Sequence, residues 1–177
     1  MSLAINDFKA KMSGGGARAN LFSCIINSPG VAVGSWPSEL TSFMCKGASL
    51  PASVIGEVAV PFRGRIMKIA GDRTFENWTA TIFCDHAFEI RNAFEKWMNA
   101  MNGHETGLME KLNPSDYQAQ IVVNQLDRAD EIIKTYTIEG AFPINLGAIE
   151  LGYDTNDAIE EFTVEFAYTY WTSDTTS

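Results

Sequence analysis

A mainly β (α+β) domain, an antiparallel β-barrel or sandwich carrying one amphipathic helix, is the fold class this sequence predicts, and three observations point to it. Short runs rich in β-branched and aromatic residues recur along the chain, set apart by Gly, Pro, Asn and Ser turn signals. The last run is the most regular. Phe162, Val164, Phe166, Tyr168 and Tyr170 alternate with Glu161, Thr163, Glu165, Ala167 and Thr169, so one face enters a core and the other meets water. One segment alone changes period: Ile90, Phe94, Trp97, Met98 and Met101 share one side of a helix over about 87–102, with Glu89, Asn92, Glu95, Lys96 and Asn99 opposite. At 177 residues, 46% hydrophobic and 20% charged, the chain is long enough for a single core and is neither disordered nor fibrous in composition.

Residues 1–18 end in Gly14-Gly15-Gly16, which is too permissive for a helix or strand interior and reads as a flexible N-terminal arm. Residues 19–172 form the domain, and 173–177 a C-terminal tail. Ala19–Asn27 is a first strand closed by the Ser28-Pro29-Gly30 turn, and a loop with Trp36 and Pro37 follows. A strand is expected over Thr41–Leu50, broken by Pro51. Val54–Val60 and Arg65–Ala70 flank a turn at Pro61–Gly64 and make a hairpin. Phe75–Cys84, rich in Thr and aromatics, is the next strand. The helix comes after it and is stopped by Gly103. Tyr117–Gln125 and Glu131–Glu139 pair through the charged segment Leu126–Asp130, and the alternating run closes the domain. No internal repeat is visible.

Net charge is −9, the wrong sign for a protein that grips nucleic acid through a basic footprint. No Lys or Arg follows Lys134, whereas Glu139, Glu150, Asp154, Asp157, Glu160, Glu161, Glu165 and Asp174 do; one surface should therefore be acidic. Cys24, Cys45 and Cys84 are odd in number and far apart, which reads as buried, reduced thiols. Residues 1–12 have an early Asp7 and no apolar core of signal-peptide length. The uncharged stretch Ala19–Ser38 contains Asn20, Asn27, Pro29, Gly30, Gly34 and Pro37, so no membrane insertion is expected there.

Candidates for chemistry each have an ordinary explanation. Asp85 and His86 lie before the helix, where proton transfer would be feasible, but Asp85 suits an N-cap or turn. His104 lies in the helix exit. Asp154, Asn156, Glu160 and Glu165 fall at oxygen-ligand positions of a calcium loop, yet the bend needs Gly where Ile159 stands. Gly14–Gly16 has no Lys-Ser/Thr after it to cradle phosphate. Arg63, Arg65 and Lys68 form a basic cluster with Glu57, Asp72 and Glu76 near in sequence to satisfy it. The Trp97, Met98, Met101 stripe packs on the sheet rather than serving as a partner groove. No active site and no cofactor emerge, which favours a structural role.

One stretch is specific enough to resemble a known family. PFRGRIMKIAGDRTFENWTATIFCDHAFEIRNAFEKWMNAMNG, Pro61–Gly103, closely resembles the tail tube proteins of contractile-tailed bacteriophages. The matching residues are Arg63-Gly64-Arg65, Gly71-Asp72-Arg73-Thr74-Phe75, Trp78 and Phe94-Glu95-Lys96-Trp97-Met98-Asn99. The Phe142-Pro143 segment and the Glu160–Trp171 strand are similar to that family as well, and the likeness runs from about Ala19 to Trp171.

The resemblance implies homo-hexameric rings stacked into a hollow tube, an inner barrel built across subunits, and a fold shared with type VI secretion tubes. It implies a virion protein made and assembled in the host bacterial cytoplasm. Its partners would be a sheath protein outside, baseplate and terminator proteins at the ends, and tape measure protein and genomic DNA passing through the lumen unbound. Inter-subunit contacts are then expected at Arg63, Arg65, Asp72, Arg73 and Glu76, where opposite charges flank turns marked by Gly64 and Gly71. Stacking is expected from the Gly14–Arg18 arm and the Cys45–Gly56 loop, at Gly14, Arg18, Leu50, Pro51 and Gly56. Glu161 and Glu165 are expected to face the lumen, where repulsion would keep DNA moving; outward-facing charges for solubility or sheath contact are the alternative. The rival functions are a tube-like baseplate initiator making a single ring, a contractile injection system tube, a small-ligand carrier barrel, and a hydrolase using Asp85 and His86.

Overall fold

The computed structural model describes residues 5–12, 16–30, 34–109 and 113–176. In chain order the elements are α1 (Ile5–Lys11), β1 (Phe22–Ile26), α2 (Ser38–Met44), β2 (Cys45–Ala48), β3 (Val54–Phe62), β4 (Arg65–Thr74) and β5 (Trp78–Phe83). They continue with α3 (Glu89–Met101), α4 (Pro114–Tyr117), β6 (Ala119–Leu126), β7 (Ile132–Leu146), β8 (Glu161–Ala167) and β9 (Tyr170–Ser173). The mainly β class holds, and every strand pair is antiparallel.

The expected barrel is not closed. The strands run β1-β6-β7-β8-β5-β2, with β9 also on β7, so the path begins at β1 and ends at β2. The curvature comes instead from β7, a strand of 15 residues that serves two layers. Its Tyr136–Glu139 half pairs with β9, and its Phe142–Leu146 half pairs with β8. Between the halves Gly140 adopts φ +68°, and a Cβ there would come within 2.7 Å of the Thr169 hydroxyl. A left-handed, side-chain-free residue is what lets one strand turn from one layer to the other. The chain leaves β8 at the same level, which explains why Phe162, Val164 and Phe166 are buried while Tyr168 is half-buried and Tyr170 exposed. The run read as one alternating strand is two.

The core lies between the layers and is sealed by α3. Ile90, Ala93, Phe94 and Trp97 of α3 are buried, at the i, i+3, i+4, i+7 spacing of one helical face. They meet Phe162 and Phe166 of β8; the Phe94 and Phe166 rings are 5.9 Å apart, edge to face. Trp36 from the β1–α2 loop stands at 90° to both Phe94 and Trp97, 5.3 and 5.4 Å away, and its indole N–H donates to the Ile26 carbonyl at 2.8 Å. Trp97 donates to the Tyr117 carbonyl at 2.8 Å. Large rings with their polar edges satisfied supply most of this core.

Three further expectations change. Thr41–Leu50 is not a strand throughout, because its first part is α2: Leu40 and Met44, four apart, pack on the core, and the buried Thr41 hydroxyl donates to the Pro37 carbonyl at 2.7 Å. The arm of residues 1–18 contains α1, whose Ile5, Phe8 and Met12 side of the chain is exposed. Of the cysteines, all free, only Cys24 is buried; Cys45 and Cys84 are half-buried. Among the described residues no helix is long and apolar enough to cross a membrane.

Candidate assembly surfaces

Three surfaces stand out, and the first is the β3–β4 ribbon. Arg63 (φ +47°) and Gly64 (φ +80°) form its tip. A two-residue turn with both φ positive matches the right-handed twist of the flanking strands. The register pairs Val58 with Ile69, Val60 with Met67 and Phe62 with Arg65. Side chains alternate across the strands, so Val58, Val60, Phe62, Met67 and Ile69 share one face. The other face carries Ala59, Pro61, Ile66 and Ala70 with Glu57 and Lys68, whose charges pair at 2.8 Å. Phe62 is 67% exposed and Met67 56%. Among the described residues no other strand or helix packs extensively against the ribbon.

Its base, by contrast, is held firmly. Trp78 donates its indole N–H to the Ser49 carbonyl at 2.6 Å, and Trp171 donates to the Ala52 carbonyl at 3.1 Å. The Tyr168 hydroxyl also reaches Ala52, at 3.4 Å. Burial of the Tyr168 phenol, together with the nearby Glu76 carboxylate, pushes its pKa up. Pro51 is therefore buried in a pinned segment, with Leu50 exposed beside it. The ribbon is a free arm on a fixed mount.

The five charges expected at subunit contacts are spread along the ribbon and its mount. Gly71, Asp72 and Arg73 lie within strand β4, not in a turn, which puts Arg73 about 26 Å along the strand from Arg65 at ~3.3 Å per residue. Arg63 and Arg65 are at the tip, Asp72 and Arg73 near the base, and Glu76 on the body. None of the five has an opposite charge within 4 Å among the described residues. Gly56 is at a bulge in β3 and Arg18 is exposed, while Gly14 lies outside the described residues.

The second surface is the outer face of the β2, β5, β8 layer. Thr79 and Glu165 are directly opposite, as are Thr81 and Thr163, and Phe83 and Glu161. The intervening Trp78, Ala80, Ile82, Phe162, Val164 and Phe166 point into the core. This face is polar and open, and its acids are not free: Glu161 pairs with Lys46 of β2, and Glu165 accepts from the Asn77 amide at 2.8 Å. Lys46 was not anticipated, since a cross-sheet partner 115 residues away leaves no local trace.

The third surface is the loop of residues 147–160 between β7 and β8. It carries Glu150, Asp154, Asp157 and Glu160 without a base, and it also exposes Leu151 (78%), Tyr153 (106%) and Ile159 (70%). Between the loop and the sheet edge runs an open groove of about 1100 Å³, reached by Phe83, Ile149 and Lys46. In the sequence the segment stands out only for its acids, which resemble an incomplete calcium loop. Among the described residues no three metal-ligating side chains converge.

Asp85 sits before α3 as a cap. Its carboxylate accepts from the backbone N–H of Glu89 at 3.0 Å, Ala87 at 3.2 Å and Ile90 at 3.3 Å. Partial burial pushes its pKa up, but these donors outweigh that and hold it below the usual carboxylate value. His86 is exposed, and His104 shares the Asn99 side-chain oxygen at 3.0 Å.

Residues 8–174 match the sequence model of a family described as phage tail tube protein. The chain is 34% identical over 164 residues to the tail tube protein gp19 of Enterobacteria phage T4, covering 92% of this chain and 95% of that one. It is 31% identical over 172 residues to the tail tube protein of Serratia phage KSP90, covering 96% and 97%. Among solved structures, it shares its fold with a chain of the anti-feeding prophage tube-terminating cap (TM-score 0.64, 16% identity, 92% of each chain). It also shares it with one of the sheath/tube terminator of an extracellular contractile injection system (TM-score 0.62, 15% identity, 90% and 96%).

Proposed function

Because the chain belongs to the phage tail tube protein family, we propose that it is the repeating subunit of a contractile-tail tube, arranged as stacked hexameric rings whose lumen conducts DNA into the host. It is a structural component of the phage particle, not an enzyme. The observation that carries the assembly reading is the β3–β4 ribbon. A two-stranded hairpin alone in water is marginal, and this one shows solvent an apolar face that no other strand or helix among the described residues covers extensively. It is built to be covered by something else. Unlike surfaces meeting head to tail produce rings where the rotation closes and filaments where it does not, and a stacked tube uses both. The free edges of β1 and β2 are consistent with a sheet completed across subunits.

The face bearing Glu161 and Glu165 is our proposed channel lining. Its charge is moderated by Lys46, so it would repel DNA without a dense anionic wall. Sheath, baseplate and terminator proteins would be the partners, with tape measure protein and DNA inside. A single-ring baseplate or cap component is the second reading, since solved structures of that kind share the fold. The tail tube relatives, at 31–34% identity over nearly the whole chain, favour the shaft. Electron micrographs of the purified protein separate the two: tubes of varied length support a shaft subunit, and isolated single rings at all concentrations support the ring component.

A further inference from the structure

We propose that the acidic loop of residues 147–160 and the groove beside it are the receptor for the β3–β4 ribbon of a second copy of this chain. This rests on the tube reading and specifies which surfaces meet. Two of the apolar features this subunit leaves exposed are complementary. The ribbon shows Phe62, Met67 and Ile69 to solvent; the loop shows Leu151, Tyr153 and Ile159. Their charges are opposite as well. From Val54 to Thr74 the ribbon has four bases (Arg63, Arg65, Lys68, Arg73) against two acids (Glu57, Asp72), while residues 147–160 have four acids and no base. In a chain of net charge −9 the ribbon carries a local excess of positive charge. An open groove lined by Ile149, Leu151, Tyr153 and three acids of the loop, whose one lining base, Lys46, is already paired with Glu161, suits a basic ribbon tip better than it suits a second acidic surface.

The shape agrees with this. The ribbon tip is narrow, and its guanidiniums flank the apolar residues: Arg63 lies over the Phe62 ring, 5.3 Å from its centre, and Arg65 is directly opposite Phe62. The groove is lined by half-buried Phe83, Ile149 and Glu160 and by exposed Asp157. The two surfaces are unlike, so each copy offers one ribbon and one receptor and the contact is heterologous. Such a contact propagates from subunit to subunit.

Two experiments on the full chain test the proposal. A photo-crosslinking benzoylphenylalanine at position 62, and separately at 153, is irradiated in assembled tubes, and the joined peptides are identified by mass spectrometry. The position 62 probe should join residues 147–160 of another chain, and the position 153 probe should join residues 54–74. In the second experiment Arg63→Glu with Arg65→Glu, and Asp154→Lys with Asp157→Lys, should each lower tube yield by about tenfold or more through like-charge contact. The fourfold variant should recover most of the yield, with melting temperatures unchanged throughout. Tubes of the wild type whose crosslinks map elsewhere, or a fourfold variant no better than its parents, overturn the receptor and leave the tube reading standing. A wild type that stays monomeric at every concentration sinks the tube reading and the receptor with it.

Discussion

Replacing Phe62 and Met67 with Ser should separate assembly from folding. Burying a Phe or Met side chain completely is worth about 1.5–3 kcal/mol. About two thirds of Phe62 and over half of Met67 are still open to solvent in the subunit. Each therefore has about 1–2 kcal/mol left to gain on docking. Losing both removes about 2–4 kcal/mol per contact, or about 30- to 1000-fold in the association constant. The subunit should hardly notice, because exposed substitutions away from caps and core stay within about 0.5 kcal/mol. Light scattering against concentration gives the assembly threshold, and thermal melting below the wild-type threshold gives subunit stability. A threshold that rises by at least an order of magnitude with an unchanged melting temperature is the expected outcome. An unchanged threshold, or a melting temperature that falls in step with assembly, would refute the reasoning: the first means the ribbon is not an interface, the second that it is part of the fold.

Other expectations concern the body of the subunit. Trp97→Ala, which empties a fully buried site and orphans the Tyr117 carbonyl, should cost about 3–5 kcal/mol in chemical denaturation. Asp85→Ala removes the acceptor for three backbone donors and should cost about 1 kcal/mol, or ~2–4 °C in melting temperature. Its folded pKa is depressed, so the stability it supplies is present above the unfolded value near ~3.9 and is lost as pH falls through the folded value. The deficit of the variant should accordingly be full at neutral pH and close below about pH 4. Glu161→Lys with Glu165→Lys breaks only the exposed pair with Lys46 and the Asn77 bond, worth about 0–1 kcal/mol for the pair. Tubes should still form but retain duplex DNA at low salt and release it as salt rises; double-Lys tubes that hold none at any salt would remove these acids from the channel.

Local periodicity carried most of the fold. The stripe from Ile90 to Trp97 is a helix because four consecutive contacts on one face are buried, and the alternation from Phe162 to Phe166 is a core strand for the same reason. The hairpin turn was legible at Arg63-Gly64, although its strands extend to Phe62 and Thr74. What failed depended on contacts between distant parts of the chain. α2 is too short for a period to register, and Leu40 and Met44 are helical because the core above them asks for it. Gly71 reads as a turn only while the length of β4 is unknown; it lies inside that strand, so Arg63 and Arg65 stand at the opposite end of the ribbon from Asp72 and Arg73. The bend at Gly140 has a Gly as its mark, but only the shared pairing of β7 shows that two layers meet there. For the surfaces, the acids at 161 and 165 fell on the open face as the alternation required. The exposed Leu151, Tyr153 and Ile159 were hidden, since hydropathy alone does not distinguish an uncovered side chain from a buried one.

Helical reconstruction by cryo-electron microscopy of tubes grown from the purified chain tests the assembly most directly. The account predicts stacked sixfold rings around an open channel, with the β3–β4 ribbon buried against another subunit and the Glu161 and Glu165 face toward the lumen. Solid fibres, a different ring symmetry, or tubes in which the ribbon remains in solvent would contradict it.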